Sequence, residues 1–322
     1  MIKKLKYYYK VLRKHFFFYH KSNDYNIKLF NYQWDNTFYV PNHWLYQFIH
    51  KRNIVKENKT LSIYSVNGER LSLKLNKSDY LLFYTVENVH VPLSHWEKYK
   101  DLLLENNRIS ISIGFDYINH PKYIRFPYWL MTNFSVDETT ESIRNSCDNF
   151  HPKNTGIRLL FCSFICRYDY FGDRTKFAEL IETIAPINYP GNFRHNDDTL
   201  VSEYNDNKIE YLKQFKFNLC PENSNNKGYV TEKIFDAIKA GCIPIYWGSE
   251  NEPEPDILNQ NRILFLKLNG DNSEVIQKIK HLNENEIAYN EFMSQPIFTP
   301  NAAEIIYGYF ERLESKLKEK IK

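Results

Sequence analysis

Glycine and cysteine are scarce in this chain, with 10 Gly and 5 Cys among 322 residues. Cys147, Cys162, Cys166, Cys220 and Cys242 are odd in number and scattered, without a CxxC pair. That spacing indicates neither a disulfide framework nor a zinc site, and reduced, mostly buried thiols are expected. There is no GxxxxGK[ST] loop and no GxGxxG turn after a strand, so P-loop and dinucleotide-binding readings lose their main signature. HExxH and GxSxG are absent too, which removes the usual marks of zinc proteases and serine hydrolases. No apolar window approaches a membrane span, and the N-terminal segment lacks the core and cleavage site of a signal peptide. A cytoplasmic chain is expected. An excess of one charge is missing as well: 42 Lys and Arg against 39 Asp and Glu leave +3, too little to argue for nucleic acid as a partner.

What the chain has in quantity is aromatic residues, 25 Tyr and 23 Phe, within an otherwise globular balance of 43% hydrophobic and 25% charged residues. Its length favours two domains. Residues 1–21, "MIKKLKYYYKVLRKHFFFYHK", interleave seven Lys and Arg with Tyr and Phe and hold no acid. Such a segment suits an anionic membrane surface, and equally a helix with a solvated face.

Strand-like runs at 27–32, 61–66, 80–86 and 109–115 alternate with helical patterns at 43–52 and 95–107, as in βαβ units with a parallel sheet. The polar stretch 135–156 reads as an interdomain linker. Beyond it, "IRLLFCSFIC" (157–166) is a strand apolar on both faces, followed by a helix at 173–184 with Asp173 as its N-cap. Helix 207–215, strand 216–220, helix 229–240, strand 242–247 and strand 262–268 complete a second, doubly wound half. The tail sets Ile305, Ile306, Tyr309, Phe310, Leu313, Leu317 and Ile321 on one stripe, so it is expected to pack back as a helix, with attachment to a membrane surface through Lys316, Lys318, Lys320 and Lys322 the lesser alternative. The domains expected are 1–150, 151–300 and a C-terminal helix over 301–322.

The segment "CPENSNNKGYVTEKIFDAIKAGCIPIYWGS" (220–249) concentrates polar residues between a strand and a helix, where open α/β sheets bind ligands. Glu222, Asn223, Ser224, Asn225 and Asn226 can recognise hydroxyls or a base edge, and Gly228 lets backbone approach. A helix starting at Tyr229 or Val230 offers unpaired N–H groups to a phosphate, and Lys233 adds a full charge. Glu232 would repel phosphate and so faces a sugar hydroxyl or a developing cation. On spacing alone an equal alternative stands: Glu232 complements the helix dipole while Lys233 pairs with Asp236.

Taken whole, "FNLCPENSNNKGYVTEKIFDAIKAGCIPIYWG" resembles the signature of the bacterial α1,3/1,4-fucosyltransferases. "FYTVENVHVP" (83–92) and "IGFDYINHPKYIRFPYWL" (113–130) resemble two further elements of that family in the same order. The resemblance spans about residues 80 to 250. It implies a GT-B fold, two Rossmann-like domains with parallel sheets, the first binding the acceptor and the second GDP-fucose. It makes Glu87 the general base that deprotonates the acceptor hydroxyl, with Tyr84 and Asn88 beside it on the acceptor side, and it implies inversion of the β-linked donor to an α-fucoside. One carboxylate suffices, because the departing diphosphate needs positive charge rather than a proton. Lys233 and Arg174 would supply that charge, with Arg167 the competitor for the second place. Asn223 and Tyr229 match nucleotide-contacting positions, and Glu232 matches one that holds the donor. The acceptor expected is N-acetylglucosamine in a lactosamine-type oligosaccharide or surface glycan. No cofactor is required on this reading, beyond weak stimulation by Mn or Mg, since a cationic cradle replaces the metal and Asp197-Asp198 is a poor ligand pair. Val86 and Pro221 depart from the family pattern. Two rivals remain open: a transferase of another GDP-sugar, and a nucleotide-sugar-binding protein without catalysis.

Overall fold

The alternation of apolar runs and helical stripes yields two all-parallel five-stranded sheets in a computed structural model, which describes residues 2–21, 26–30, 43–150 and 158–322. The chain divides into two compact units, one formed by Met1–Glu138 with Gly308–Lys322 and the other by Thr139–Tyr307.

In the first unit β1 (Ile27–Phe30), β2 (Leu61–Ser65), β3 (Tyr80–Tyr84), β4 (Ile111–Gly114) and β5 (Tyr123–Arg125) lie side by side in chain order. All five residues of β2 are buried, as a central parallel strand covered on both faces requires. Phe30 stacks on Tyr64, centroids 4.7 Å apart, in a cluster with Leu81, Phe83 and Leu102. The expected strand at 27–32 ends at Phe30, and its last two positions fall outside the described residues. The strand order never reverses, so double winding does not extend to these five strands.

The tail is helical over Ala302–Lys320. Its stripe is buried at Ile306, Tyr309, Phe310, Leu313, Leu317 and Ile321. Phe310 meets Trp44, Phe48, Phe126 and Phe134 with centroids 5.5 to 6.4 Å apart, so the first unit's core is completed by the last residues of the chain.

The second unit holds β6 (Leu160–Ser163), β7 (Ile187–Asn188), β8 (Phe215–Leu219), β9 (Ile243–Tyr246) and β10 (Leu264–Phe265) in the order β10-β9-β8-β6-β7. Here the order does reverse: β6 pairs with β7 on one side and β8 on the other. Its core gathers Cys162, Phe177, Phe217, Leu219, Ile243, Ile245 and Trp247.

Three local expectations change. Within the stretch read as linker, residues 140–150 form a helix, Thr140–Phe150. Thr139 Oγ1 accepts from the Ser142 N–H while Ser142 Oγ accepts from the Thr139 N–H, a reciprocal cap that a reading by polarity alone passes over. Residues 151–157 lie outside the described part. Asp173 is not the N-cap of its helix, which spans Asp173–Glu182 and is preceded by left-handed Gly172. Asp169 does that work, accepting from the Arg174 and Thr175 N–H groups. Finally, the helix placed at Tyr229 or Val230 begins at Glu232, after Thr231.

Candidate active site

A reversal of strand order leaves a crevice beyond the carboxyl ends of the two strands that part there. Beyond β6 and β8 the second unit has such a pocket, about 440 Å³ including its open mouth. Phe164 and Ile165 enter it after β6 and Asn218 to Pro221 from the end of β8. Arg174 comes from the helix after β6, and Glu232, Lys233 and Asp236 from the Glu232–Lys239 helix. Arg174 is thus the pocket arginine of the two proposed, while Arg167 lies exposed outside the lining.

Lys233 does not stand as a bare charge. Its Nζ donates to Thr231 Oγ1 at 2.8 Å and to Glu222 Oε2 at 3.2 Å, and lies 3.8 Å from Glu232 Oε1. Two of its three N–H donors are thereby engaged, with Glu232 as a second charge partner. Burial pulls its pKa down, but Glu222 and Glu232 outweigh that and raise it, so the ammonium stays charged. Glu232 is 30% exposed. Burial raises its pKa, and Lys233, its own backbone N–H and Lys208 more than reverse the effect, leaving it ionised at neutral pH. The alternative Lys233–Asp236 pairing gives way to Lys233–Glu222.

Glu222 was expected in the ligand-facing wall, and its side chain is turned inward. It is 1% exposed. Its carboxylate accepts from the Thr231 N–H at 2.8 Å, Thr231 Oγ1 at 2.7 Å, Lys233 and, at 3.4 Å, Tyr246 OH. A buried carboxylate has to be satisfied this fully to persist. Thr231 thereby gives up the capping bond its hydroxyl could make, and the helix start carries no side-chain cap. Gly248 makes room: at φ 144° it sits where a Cβ would come within 2.6 Å of Glu222 Cγ. Asn225 is also structural, accepting from the Glu250 N–H at 2.6 Å, and Gly228 donates to Ser249 Oγ at 3.0 Å. The polar loop is therefore buckled to residues 248–252, where Ser249, Glu250 and Asn251 all take left-handed φ.

Among the remaining expected donor residues, exposed Asn223 accepts from Arg174 Nη2 through Oδ1, and Arg174 also donates to the Tyr168 carbonyl. Ser224 is half-buried. Tyr229 is only 2% exposed, so its ring is in the interior of the unit. Thr231, Gly248 and Asn218 were missed, and Asp236 was read only as a partner for Lys233. Asn218 gave a signal, a lone amide inside the apolar strand "FKFNL".

The first unit holds Glu87 three residues past the end of β3, half-buried. Thr85 Oγ1 donates to the Glu87 carbonyl at 2.6 Å and accepts from its N–H at 3.1 Å, which fixes the loop. Val86 is absent from the left-handed residues, so the loop carries it without backbone strain. Buried Asn88 accepts from the His90 N–H at 2.9 Å. Tyr84 is buried with its hydroxyl 2.8 Å from His43 Nε2, and His90 lies 2.9 Å from Asp116. Glu87, Asn88 and Tyr84 thus share one strand end.

Among the described residues no group of three or more His, Cys, Asp or Glu is arranged to hold a metal ion. Asp197 is held down at about 2: burial raises its pKa, and Thr199, Tyr211 and Asn188 overcome it by hydrogen bonding. Asp198 pairs with His195. Among the described residues no helix is long and apolar enough to cross a membrane.

Residues 157–295 match the family described as glycosyltransferase family 10 (fucosyltransferase) C-term. The chain is 29% identical over 213 residues to the alpha-(1,3)-fucosyltransferase FucT of Helicobacter pylori, a match covering 58% of this chain and 43% of that protein. It therefore spans less than half the length of that relative. A crystal structure of alpha1,3-fucosyltransferase superposes with a TM-score of 0.63 at 24% identity, covering 90% of this chain and 89% of the other. One of alpha1,3-fucosyltransferase with GDP-fucose gives 0.60 at 23%, with the same coverage. The fold is that of the GT-B fucosyltransferases.

Proposed function

We propose that this chain, whose residues 157–295 match the glycosyltransferase family 10 (fucosyltransferase) C-terminal domain, transfers L-fucose from GDP-β-L-fucose to the 3-hydroxyl of N-acetylglucosamine in a lactosamine-type glycan. The 4-hydroxyl is the alternative, and the product is an α-fucoside. The observation that carries the donor half is that Arg174, Lys233 and ionised Glu232 line one pocket of the matched domain. Cations there stabilise the diphosphate as it gathers charge on leaving, and Glu232 faces the sugar side, where its negative charge favours an oxocarbenium-like centre. A crystal structure of a similar protein with GDP-fucose supports the donor.

Glu87 supplies the base: its carboxylate takes the acceptor hydroxyl proton as that oxygen attacks the anomeric carbon, and the carbon–oxygen bond to the diphosphate breaks. No metal is asked for. Membrane contact is a further part of the proposal. Leu5, Tyr7, Tyr8 and Tyr9 are exposed on the first helix, among exposed Lys4, Lys6 and Lys10, which suits an anionic bilayer surface.

The test is turnover of GDP-fucose against GDP-mannose and other GDP-sugars with a panel of lactosamine, lacto-N-biose and surface-polysaccharide fragments, the product linkage read by NMR. Transfer from GDP-fucose that survives EDTA is expected. Turnover of another GDP-sugar alone would replace the donor assignment, and a β-linked product would remove inversion. Cosedimentation with anionic but not neutral vesicles tests the surface contact.

A further inference from the structure

The pocket contains more polar groups than a diphosphate uses, and they are of the wrong kind for one. Asn218 lies on β8 between Phe217 and Leu219, both in the core cluster. Period-two alternation therefore turns it to the opposite face of the sheet. Its backbone is in register with Ser163 on β6 and Pro244 on β9, so it sits mid-sheet rather than at a free edge. The side chain is 5% exposed, its Oδ1 has no hydrogen-bond partner, and it lines the pocket. Buried amide oxygens are rarely left unsatisfied, and where the residue lines a ligand pocket a donor on the ligand is a natural partner for one. Asp236, one turn beyond Glu232 on the helix, lines the same pocket.

Resting on the reading of this pocket as a sugar-nucleotide site, we propose that Asn218 and Asp236 form an acceptor floor that binds a hydrogen-donating group of the nucleoside and thereby selects it. Two groups of a guanosine nucleotide have this chemistry, the N1–H and N2–H edge of the base and the ribose hydroxyls. The diphosphate of a GDP-sugar, esterified at both ends, carries no proton at neutral pH and offers no such donor. Labour is thus divided within one pocket: Arg174 and Lys233 serve the diphosphate, and Asn218 with Asp236 serves the nucleoside. The pKa of Asp236, pushed up to about 6 by burial first and by Glu232 second, fits the same role, since an N–H or O–H donor relieves a desolvated carboxylate.

The test is calorimetric titration of wild type, Asn218→Leu, Asn218→Asp and Asp236→Asn with GDP, inosine diphosphate, 2′-deoxy-GDP and inorganic pyrophosphate. Wild type is expected to prefer GDP over at least one analogue by about 10-fold. Asn218→Leu and Asp236→Asn should weaken GDP by at least as much and erase that preference, with pyrophosphate affinity unchanged and Asn218→Asp retaining the preference. Discrimination against inosine diphosphate assigns the base edge, and discrimination against 2′-deoxy-GDP assigns the ribose. The proposal is overturned if wild type binds the three nucleotides alike, if the variants keep its preference, or if GDP and pyrophosphate weaken together. Failure of wild type to bind either GDP or pyrophosphate would instead remove the nucleotide reading of the pocket itself.

Discussion

The dipeptide Glu-Asn occurs at the same place in both units, three residues past the last residue of a strand: Glu87-Asn88 after β3 and Glu222-Asn223 after β8. Their fates are opposite. After β3 the Asn is buried and ties the turn while the Glu is half-exposed. After β8 the Glu is buried and ties the turn while the Asn is exposed and holds Arg174. Only the dipeptide is shared, preceded by Thr85-Val86 after β3 and by Cys220-Pro221 after β8, and what surrounds it makes the difference. Thr231, Lys233 and Tyr246 bring donors to Glu222, and Gly248 leaves space for it. Glu87 is anchored by its backbone through Thr85. The base proposed at Glu87 has to stay within reach of a ligand, whereas a carboxylate enclosed by donors, as Glu222 is, acts as a strut.

Four changes would break or sharpen that contrast. Glu87→Gln should lower kcat for transfer by roughly 10²- to 10⁴-fold, as for loss of a general base, with GDP affinity and thermal stability unchanged. A drop in GDP affinity alone would make Glu87 a structural residue like Glu222. Glu222→Gln should do the reverse. Breaking a buried pair strands a charge at a cost on the order of 3–5 kcal/mol, read as a lowered midpoint in urea, and the loss of transfer should follow the loss of fold and of GDP binding. Gly248→Ala is expected to destabilise by about 2 kcal/mol, because the left-handed φ and the contact with Glu222 must both be relieved; equal stability would show that the close approach is not needed.

The smallest effect concerns pH. Asp236 has a folded pKa of about 6 against 3.8 for the free side chain. Its protonated form is thus favoured in the fold, and that contribution is full below about pH 4 and lost as pH rises through 6. Lys208, Lys239 and Lys233 oppose the shift and Glu232 adds to it. Glu232, with a lowered pKa, acts oppositely and loses its contribution only as pH falls below its normal range. Stability should therefore rise by on the order of 1–2 kcal/mol between pH 7 and 5, and Asp236→Asn should flatten that rise. A slope unchanged in the variant would place the titrating group elsewhere.

Much of the architecture was legible because its signals are periodic. Runs such as "LSIYS" and "YLLFY" are buried nearly throughout, and the tail stripe closes on Phe310 as its spacing required. The helix at Thr140–Phe150 was missed because its face buries only Ile143 and Phe150, leaving polarity to dominate. Asp169 was missed as a cap because it lies several residues before the helix, outside the offsets where caps are sought. Within the site, Lys233 and Glu232, read from the polar stretch after a strand, and Arg174, taken from the family resemblance, all line one pocket.

The sequence by itself determined two parallel α/β halves, the strand ends where polar loops gather, and the charges available there, since these follow from local periodicity and composition. Only the tertiary structure decided which Glu faces inward, that Lys233 is shared with Glu222, and that Asn218 lines the pocket with its Oδ1 buried and unpaired. Each of those depends on groups brought together from distant positions, Gly248 beside Glu222 and β6 beside β8, and burial acts on a side chain only after that packing exists.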